Sequence, residues 1–175
     1  MTAERLDKHG LDKHSSDKHS SDKHSSDQHS LSKERLRLWL RMLRVTRQVE
    51  SELRERLRTE HDSTLPRFDV MAALYAAEEG LKMNELSKRL RVSNGNVTGI
   101  IDRLVEDGAV ERIAIEGDRR ATRVCLTVAG RATFSDMAVE HERWINALFE
   151  GVTEEDAHHI GELLHRLPAS LTDGH

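Results

Sequence analysis

The apolar positions of this chain change period several times along its length. Over residues 33–60, Leu36, Trp39/Leu40, Leu43, Val49, Leu53 and Leu57 recur largely at i, i+3/i+4 and i+7, which predicts one long amphipathic helix. A second helix opens around 63–66, where a capping residue precedes an early proline, Pro66, whose missing N–H costs nothing in a first turn. Phe68, Met71, Leu74 and Tyr75 are its expected buried positions, and Gly80 is its expected stop. A short helical segment over 84–90 and a turn at Arg91-Val92 come next. Ser93 then caps a helix with Val97, Ile100/Ile101 and Leu104/Val105 on one side, ending at Gly108. Residues 110–115 and 122–126 are β-rich and joined by the turn-forming Glu116-Gly117-Asp118-Arg119. Thr127 starts another long helix, with Phe134, Met137/Ala138, His141, Ile145 and Leu148/Phe149 on one face. Thr153-Glu154-Glu155-Asp156 forms a capping-box sequence with Asp in place of the usual Glu or Gln. It opens a last helix carrying Ile160, Leu163/Leu164 and Leu167, which Pro168 ends. The predicted fold is mainly α with a small β-hairpin, in the order α-α-α-α-β-β-α-α.

The first 32 residues stand outside this pattern. From Asp7 onward the sequence runs DKHGL DKHSS DKHSS DKHSS DQHSL, a five-residue unit repeated five times. Only Met1, Ala3, Leu6, Leu11 and Leu31 are apolar there, too few to offset the entropy of ordering the segment, so 1–32 is expected as a disordered low-complexity arm. The unit places His9, His14, His19, His24 and His29 five apart. That spacing turns an α-helix by about 500°, so successive histidines lie about 140° apart and share no face. In a strand, odd spacing sends them to alternate faces. Neither conformation preforms a metal site, and only a flexible, weak chelate remains. A folded region over 33–168 and a tail over 169–175 complete the expected organisation.

Composition narrows the function classes. Of 175 residues, 33% are charged, 3% are aromatic and two are proline, as suits a helix-rich soluble protein. No apolar run approaches the roughly 20 residues of a membrane span, and the N-terminus has no apolar export signal. A single cysteine, Cys125, excludes an internal disulfide and fits a reducing cytoplasm. No nucleophile–base pairing, glycine-rich phosphate loop or paired-carboxylate motif stands out, so neither an enzyme nor a cofactor is expected. The net charge of −4 argues superficially against nucleic acid. It is unevenly distributed, however. Residues 82–123 carry nine Lys/Arg against seven Asp/Glu, whereas 124–175 carry three against nine.

Two short helices joined by a tight turn and followed by a β-hairpin make a winged helix-turn-helix. A short helix with small polar residues at its N-terminal end fits a major groove about 12 Å wide. That end here reads Ser93-Asn94-Gly95-Asn96-Val97-Thr98-Gly99. Asn94, Asn96 and Thr98 have donors and acceptors for base edges or phosphates. The two glycines each cost about 1 kcal/mol of helix propensity relative to alanine, a cost that close approach to a ligand would explain. Asp118-Arg119-Arg120 puts two guanidinium groups at the tip of a narrow ribbon, suited to the negative potential of a minor groove. A solvated charged tip is the plainer alternative when the hairpin is considered alone.

These residues resemble the multiple-antibiotic-resistance regulator (MarR) family over about 36–167. The resemblance rests on Glu85-Leu86-Ser87-Lys88-Arg89-Leu90, on the run from Ser93 to Gly108, and on the wing from Asp118 to Thr127 with Gly130 nearby. It implies a homodimer that binds a palindromic double-stranded DNA operator, with 33–60 and 127–168 as N- and C-terminal dimerisation helices and 64–126 as the DNA-binding module. Ser93, Asn94, Gly95, Asn96 and Thr98 are the implied major-groove residues. Asp118 would hold the wing in shape, Arg119 lies beside it, and Arg120 would enter the minor groove. Where relatives often have a basic residue this chain has Gly99, so that phosphate contact is either missing or supplied by Arg89, Arg91 or Arg103. The resemblance further implies a repressor released by a small-molecule effector, such as an aromatic acid or its CoA thioester. Two other readings remain open on the residues alone: a winged-helix module that binds protein, and a metal-responsive regulator using the histidine arm. His141 is expected as a core or interface histidine, Cys125 as a structural thiol, and His158, His159 and His165 show no clear ligand pattern.

Overall fold

The computed structural model describes residues 17–115 and 118–168, without the side chains of 17–29, Asn94, Ile115 and 118–121. Residues 1–16 of the arm, the Glu116-Gly117 turn and the 169–175 tail lie outside this description. The chain divides into two units, Met1–Gln48 and Val49–His175.

Helix α1 spans Asp17–His61 and runs through that division. It starts 16 residues before Lys33, so 17–32, expected as part of the disordered arm, is helical. The reason lies in helix cooperativity. Once nucleated, a helix extends at one hydrogen bond per residue fixed, and no proline or glycine interrupts 17–61. Burial bookkeeping, which excluded 17–32 from a core, says little about such an extension. Leu36, Leu38, Trp39 and Leu40 are exposed, whereas Leu53 and Leu57 belong to the core of the second unit.

That core is built from every following element except the last helix. Helix α2, Leu65–Tyr75, is capped by Thr64, whose side chain accepts from the Arg67 backbone N–H at 3.4 Å. It buries Phe68, Val70, Met71, Ala73 and Leu74. Tyr75 was expected in the core but is exposed, its ring packing on Phe134 with the Arg131 guanidinium 4.9 Å above it. The helix stops at Tyr75 rather than at Gly80, which instead sits at φ +77°. A Cβ there would fall 2.3 Å from the Cys125 sulfur, so the glycine permits a close crossing as well as a turn.

Strand β1, Leu81–Lys82, leads into helix α3, Met83–Leu90, and helix α4, Asn94–Glu106. Strands β2, Val110–Ile115, and β3, Asp118–Leu126, follow. The sheet is antiparallel in the order β1-β3-β2, with Leu81 opposite Val124 and Val110 opposite Leu126. A two-residue strand has no period to read, which is why the sequence predicts a hairpin and the structure has three strands.

Helix α5, Val128–Leu148, is fixed by its first turn. Thr127 Oγ1 accepts from the Gly130 N–H at 2.9 Å and donates to the Gly108 carbonyl at 2.7 Å. A Cβ on Gly130 would lie 1.9 Å from the Ala109 carbonyl oxygen. This contact seats α5 directly on the turn that leaves α4. Phe134, Met137 and Trp144 are buried, Trp144 being the largest fully buried side chain. Leu148 and Phe149, expected on the buried face, are exposed because the helix ends there. Helix α6, Glu154–His165, opens with the expected capping box: Asp156 accepts from the Thr153 N–H at 3.2 Å while its own N–H donates to Thr153 Oγ1 at 3.1 Å. Its apolar residues Ile160, Leu163 and Leu164 are all exposed, as is Leu167 just beyond its end. Among the described residues, no helix is long and apolar enough to cross a membrane.

Candidate nucleic-acid interface

Packing decides which side of α4 is available to a partner. Val97, Ile101 and Leu104 are completely buried and Ile100 and Val105 lie against the core, as spacing of three and four requires. The complementary arc carries Gly95, Asn96, Thr98, Gly99, Asp102 and Arg103, all exposed. Ser93 is the N-cap by backbone conformation, its carbonyl accepting from the Asn96 and Val97 N–H groups, but its side chain makes no capping bond. Its hydroxyl is therefore not committed to the helix.

The turn into α4 is made by Arg91 at φ +53°, a left-handed conformation unusual for a side-chain-bearing residue. Its N–H bonds to the Lys88 carbonyl and that of Val92 to the Ser87 carbonyl, closing the α3 C-terminus. Lys88 and Arg89 on α3 are exposed. A Cβ at Gly95 or Gly99 would meet nothing within 4 Å. Internal crowding therefore does not require glycine at either position; both leave the outer surface of α4 low.

The expected site residues divide between two flanks of this arc. At about 100° per residue, Thr98 and Asp102 lie on one flank, and Asn96 and Arg103 on the other. Asp102 is joined to Arg112 of β2 at 2.5 Å, so α4 and the base of the hairpin are ion-paired. Asn96 and Arg103 line, together with Gly99, Pro66, Arg67 and Asp69, a cavity of about 730 Å³ between the start of α2 and α4. Desolvation, then the nearby Glu50 charge, pushes the Asp69 carboxyl above its ordinary pKa. Arg67 is ion-paired with Asp107, the C-cap of α4, while its Nε is buried without a hydrogen-bond partner among the described residues. Neither ion pair is legible in sequence. Their partners are ten and 40 residues apart, outside any helical or strand spacing rule.

In the wing, β2 and β3 pair regularly from Val110–Leu126 to Ala114–Thr122, then shift register at Ile115, which pairs with Asp118. Asp118, Arg119 and Arg120 begin β3 at the tip end, so the strand starts four residues before the expected Thr122. Their side chains, like that of Asn94, lie outside the described residues. Nearer the base, Arg123 donates to the Glu79 carbonyl at 3.1 Å, holding the loop before β1.

The other singled-out groups serve packing. The Cys125 thiol donates to the Glu79 carbonyl at 3.6 Å, and burial and the Glu111 charge raise its pKa, which suppresses thiolate chemistry. His141 stacks on Phe68 with centroids 4.6 Å apart, and burial lowers its pKa. Among the described residues, no group of three or more His, Cys, Asp or Glu is arranged to hold a metal ion.

Comparison with known proteins bears on the same segment. The model of the MarR family matches residues 63–122. The HTH-type transcriptional regulator PecS of Dickeya dadantii is 30% identical over 108 residues, covering 61% of this chain and 65% of that protein. The chain thus spans just under two thirds of the length of the curated relatives it matches. Among solved structures, a MarR family transcriptional regulator from Silicibacter pomeroyi is 34% identical, covers 77% of this chain and 92% of its own, and has a TM-score of 0.66. A mutant MarR from E. coli complexed with operator DNA is 28% identical with a TM-score of 0.68, covering 77% and 96%. Each of these is a transcriptional regulator rather than an enzyme.

Proposed function

The chain belongs to the MarR family, and on that premise we propose that it is a homodimeric transcriptional repressor. It binds a palindromic DNA operator and is released by a small aromatic acid or its CoA thioester. The observation that carries the DNA reading is the low, polar outer arc of α4. Gly95 and Gly99 leave space above the helix that no intramolecular contact uses, and Asn96 and Thr98 stand exposed between them. The operator-bound MarR from E. coli supports the same use of the fold.

Ser93, Asn94, Gly95, Asn96 and Thr98 are assigned to the major groove, with Asp118, Arg119 and Arg120 at the wing. Arg103 stands on the cavity-facing flank and is assigned to the phosphate contact that Gly99 lacks. A second copy of the chain is the partner for the exposed Ile160, Leu163 and Leu164 of α6 and for Leu167 just after it. The cavity beside α4 is the effector's place, since it has the volume of a small-molecule site and shares Asn96 and Arg103 with the DNA surface.

The test is a palindromic duplex selected by the purified chain from a randomised pool, followed by anisotropy titration. Binding is expected to weaken steeply with salt as phosphate contacts release counterions. Arg120→Ala is expected to cost about 1–3 kcal/mol of operator affinity with the dimer intact. Weak, salt-independent binding to every duplex would instead favour a protein-binding module.

A further inference from the structure

Helix α4 and the hairpin leave the core at one point. Helix α4 ends at Glu106, and the turn after it takes up the last carbonyls: the Gly108 N–H bonds to the Val105 carbonyl and the Ala109 N–H to the Leu104 carbonyl. Gly108 sits at φ +70°, the left-handed conformation that this closure needs. Two residues later the chain has entered β2, where Val110 pairs with Leu126 at the end of β3.

Thr127 lies at this point. Its N–H donates to the Ala109 carbonyl at 3.1 Å, its hydroxyl donates to the Gly108 carbonyl at 2.7 Å, and the same oxygen accepts from the Gly130 N–H at 2.9 Å. One residue thus joins the end of α4 and the root of the hairpin to the first turn of α5. Gly130 removes the remaining clearance, since a Cβ there would overlap the Ala109 carbonyl oxygen. The core contacts of α4 are less directional. Val97, Ile101 and Leu104 are buried, and apolar burial sets area rather than angle. At the other end of the helix, Ser93 makes no side-chain cap. The ion pairs of Asp102 and Asp107 use carboxylates that are about half exposed, where such pairs contribute little.

From this joint α5 runs 21 residues to Leu148, a length of about 30 Å. A tilt of about 6° at the joint displaces its far end by about 3 Å, close to the rise of one base pair. We propose that Thr127, seated against Gly130, is a positioning residue that fixes the angle of α4 and the hairpin on α5, and so sets the half-site spacing that the dimer accepts. In a two-fold dimer each α4 reads one half-site, and half-site spacing mirrors the separation of the two helices. This rests on the dimeric DNA-regulator reading above and adds to it the residue that converts dimer geometry into operator spacing.

The full chain is tested against its selected duplex and against versions with one or two base pairs inserted or deleted between the half-sites. Wild type is expected to bind each altered spacing about tenfold more weakly or worse, since the half-sites no longer match the protein's geometry. Thr127→Ser keeps donor and acceptor and is expected to hold that discrimination within about twofold. Thr127→Asp keeps a good cap for α5, but its carboxylate has no hydrogen to give the Gly108 carbonyl. Its discrimination is expected to fall about fivefold or more, the weight of one hydrogen bond. Any uniform repulsion between the new charge and DNA cancels in the ratio between duplexes. Gly130→Ala, which pushes α5 off the turn, is expected to act in the same direction. Thr64→Val removes the cap of α2 instead, and is expected to lower the melting temperature with discrimination unchanged. Wild-type discrimination in either Thr127→Asp or Gly130→Ala, an equal loss in Thr64→Val, or a wild type that accepts every spacing alike would overturn the joint. Failure of the wild-type chain to select any palindromic duplex would remove the regulator reading itself, a distinct result.

Discussion

Three side chains show how far individual residues set the architecture. Gly130 is needed for space, because a Cβ would lie 1.9 Å from a backbone oxygen that cannot swing away. Gly130→Ala is expected to destabilise by about 1–3 kcal/mol, the range for overpacking, as a lower midpoint in urea at unchanged m-value. Trp144 is 1% exposed and completes the cluster with His61 and His141, yet its N–H has no acceptor among the described residues. Trp144→Phe should therefore cost far less than Trp144→Ala, for which about 3–5 kcal/mol is expected. A denaturation series in which both cost the same would show that the indole nitrogen matters. His141 supplies a pH dependence. Burial lowers its pKa in the folded chain, so the unfolded chain takes up the proton first as pH falls. Its neutral form is stabilising above the ordinary histidine value of about 6.5, and that stability is lost as pH drops from there toward the lower folded value. Melting at pH 7.5 and 5.5 should show a smaller acid-induced drop for His141→Phe than for wild type.

At the scale of elements, α4 balances intrinsic stability against its outer surface. Gly95→Ala and Gly99→Ala remove two helix-weakening residues without meeting any neighbour. Each is expected to stabilise the protein by about 0.5–1 kcal/mol while weakening operator binding. A melt that rises together with an unchanged Kd would show that the low surface of α4 is not used. Helix α1 illustrates a different limit of sequence reading. The amphipathic stripe from Leu36 to Leu57 predicts a helix, but its beginning is not marked by hydrophobicity, because 17–32 extends an existing helix without burying anything that pattern can detect. Capping sequences fared better. Thr153 and Asp156 form the box their spacing predicts, since a cap depends on neighbours within one turn and not on tertiary packing.

For the whole molecule, charge and surface apolarity point the same way. The net negative charge is concentrated in 124–175, where nine acidic residues face three basic ones, whereas the segment 82–123 that contains the helix-turn-helix and wing is slightly positive. On the dimeric reading proposed above, a second copy of the chain covers the exposed Ile160, Leu163 and Leu164 of α6. A double substitution, Leu163→Glu with Leu164→Glu, is expected to shift light-scattering mass from dimer to monomer and to abolish operator binding. A monomer that still binds the palindrome with full affinity would separate DNA binding from dimerisation.

The sequence by itself determined the order of the six helices and the hairpin, the helix-turn-helix before that hairpin, the buried face of α4 and the Thr153 cap. All of these depend on periodicity or on neighbours a few residues apart, which a linear chain records directly. Only the tertiary structure decided that Trp144 anchors the core, that Leu81-Lys82 adds a third strand, and that Asn96 and Arg103 turn toward a cavity shared with α2. The Arg67–Asp107 and Asp102–Arg112 pairs belong to the same class. Their partners meet because separate elements pack together, and no local rule of spacing encodes a contact that folding alone creates.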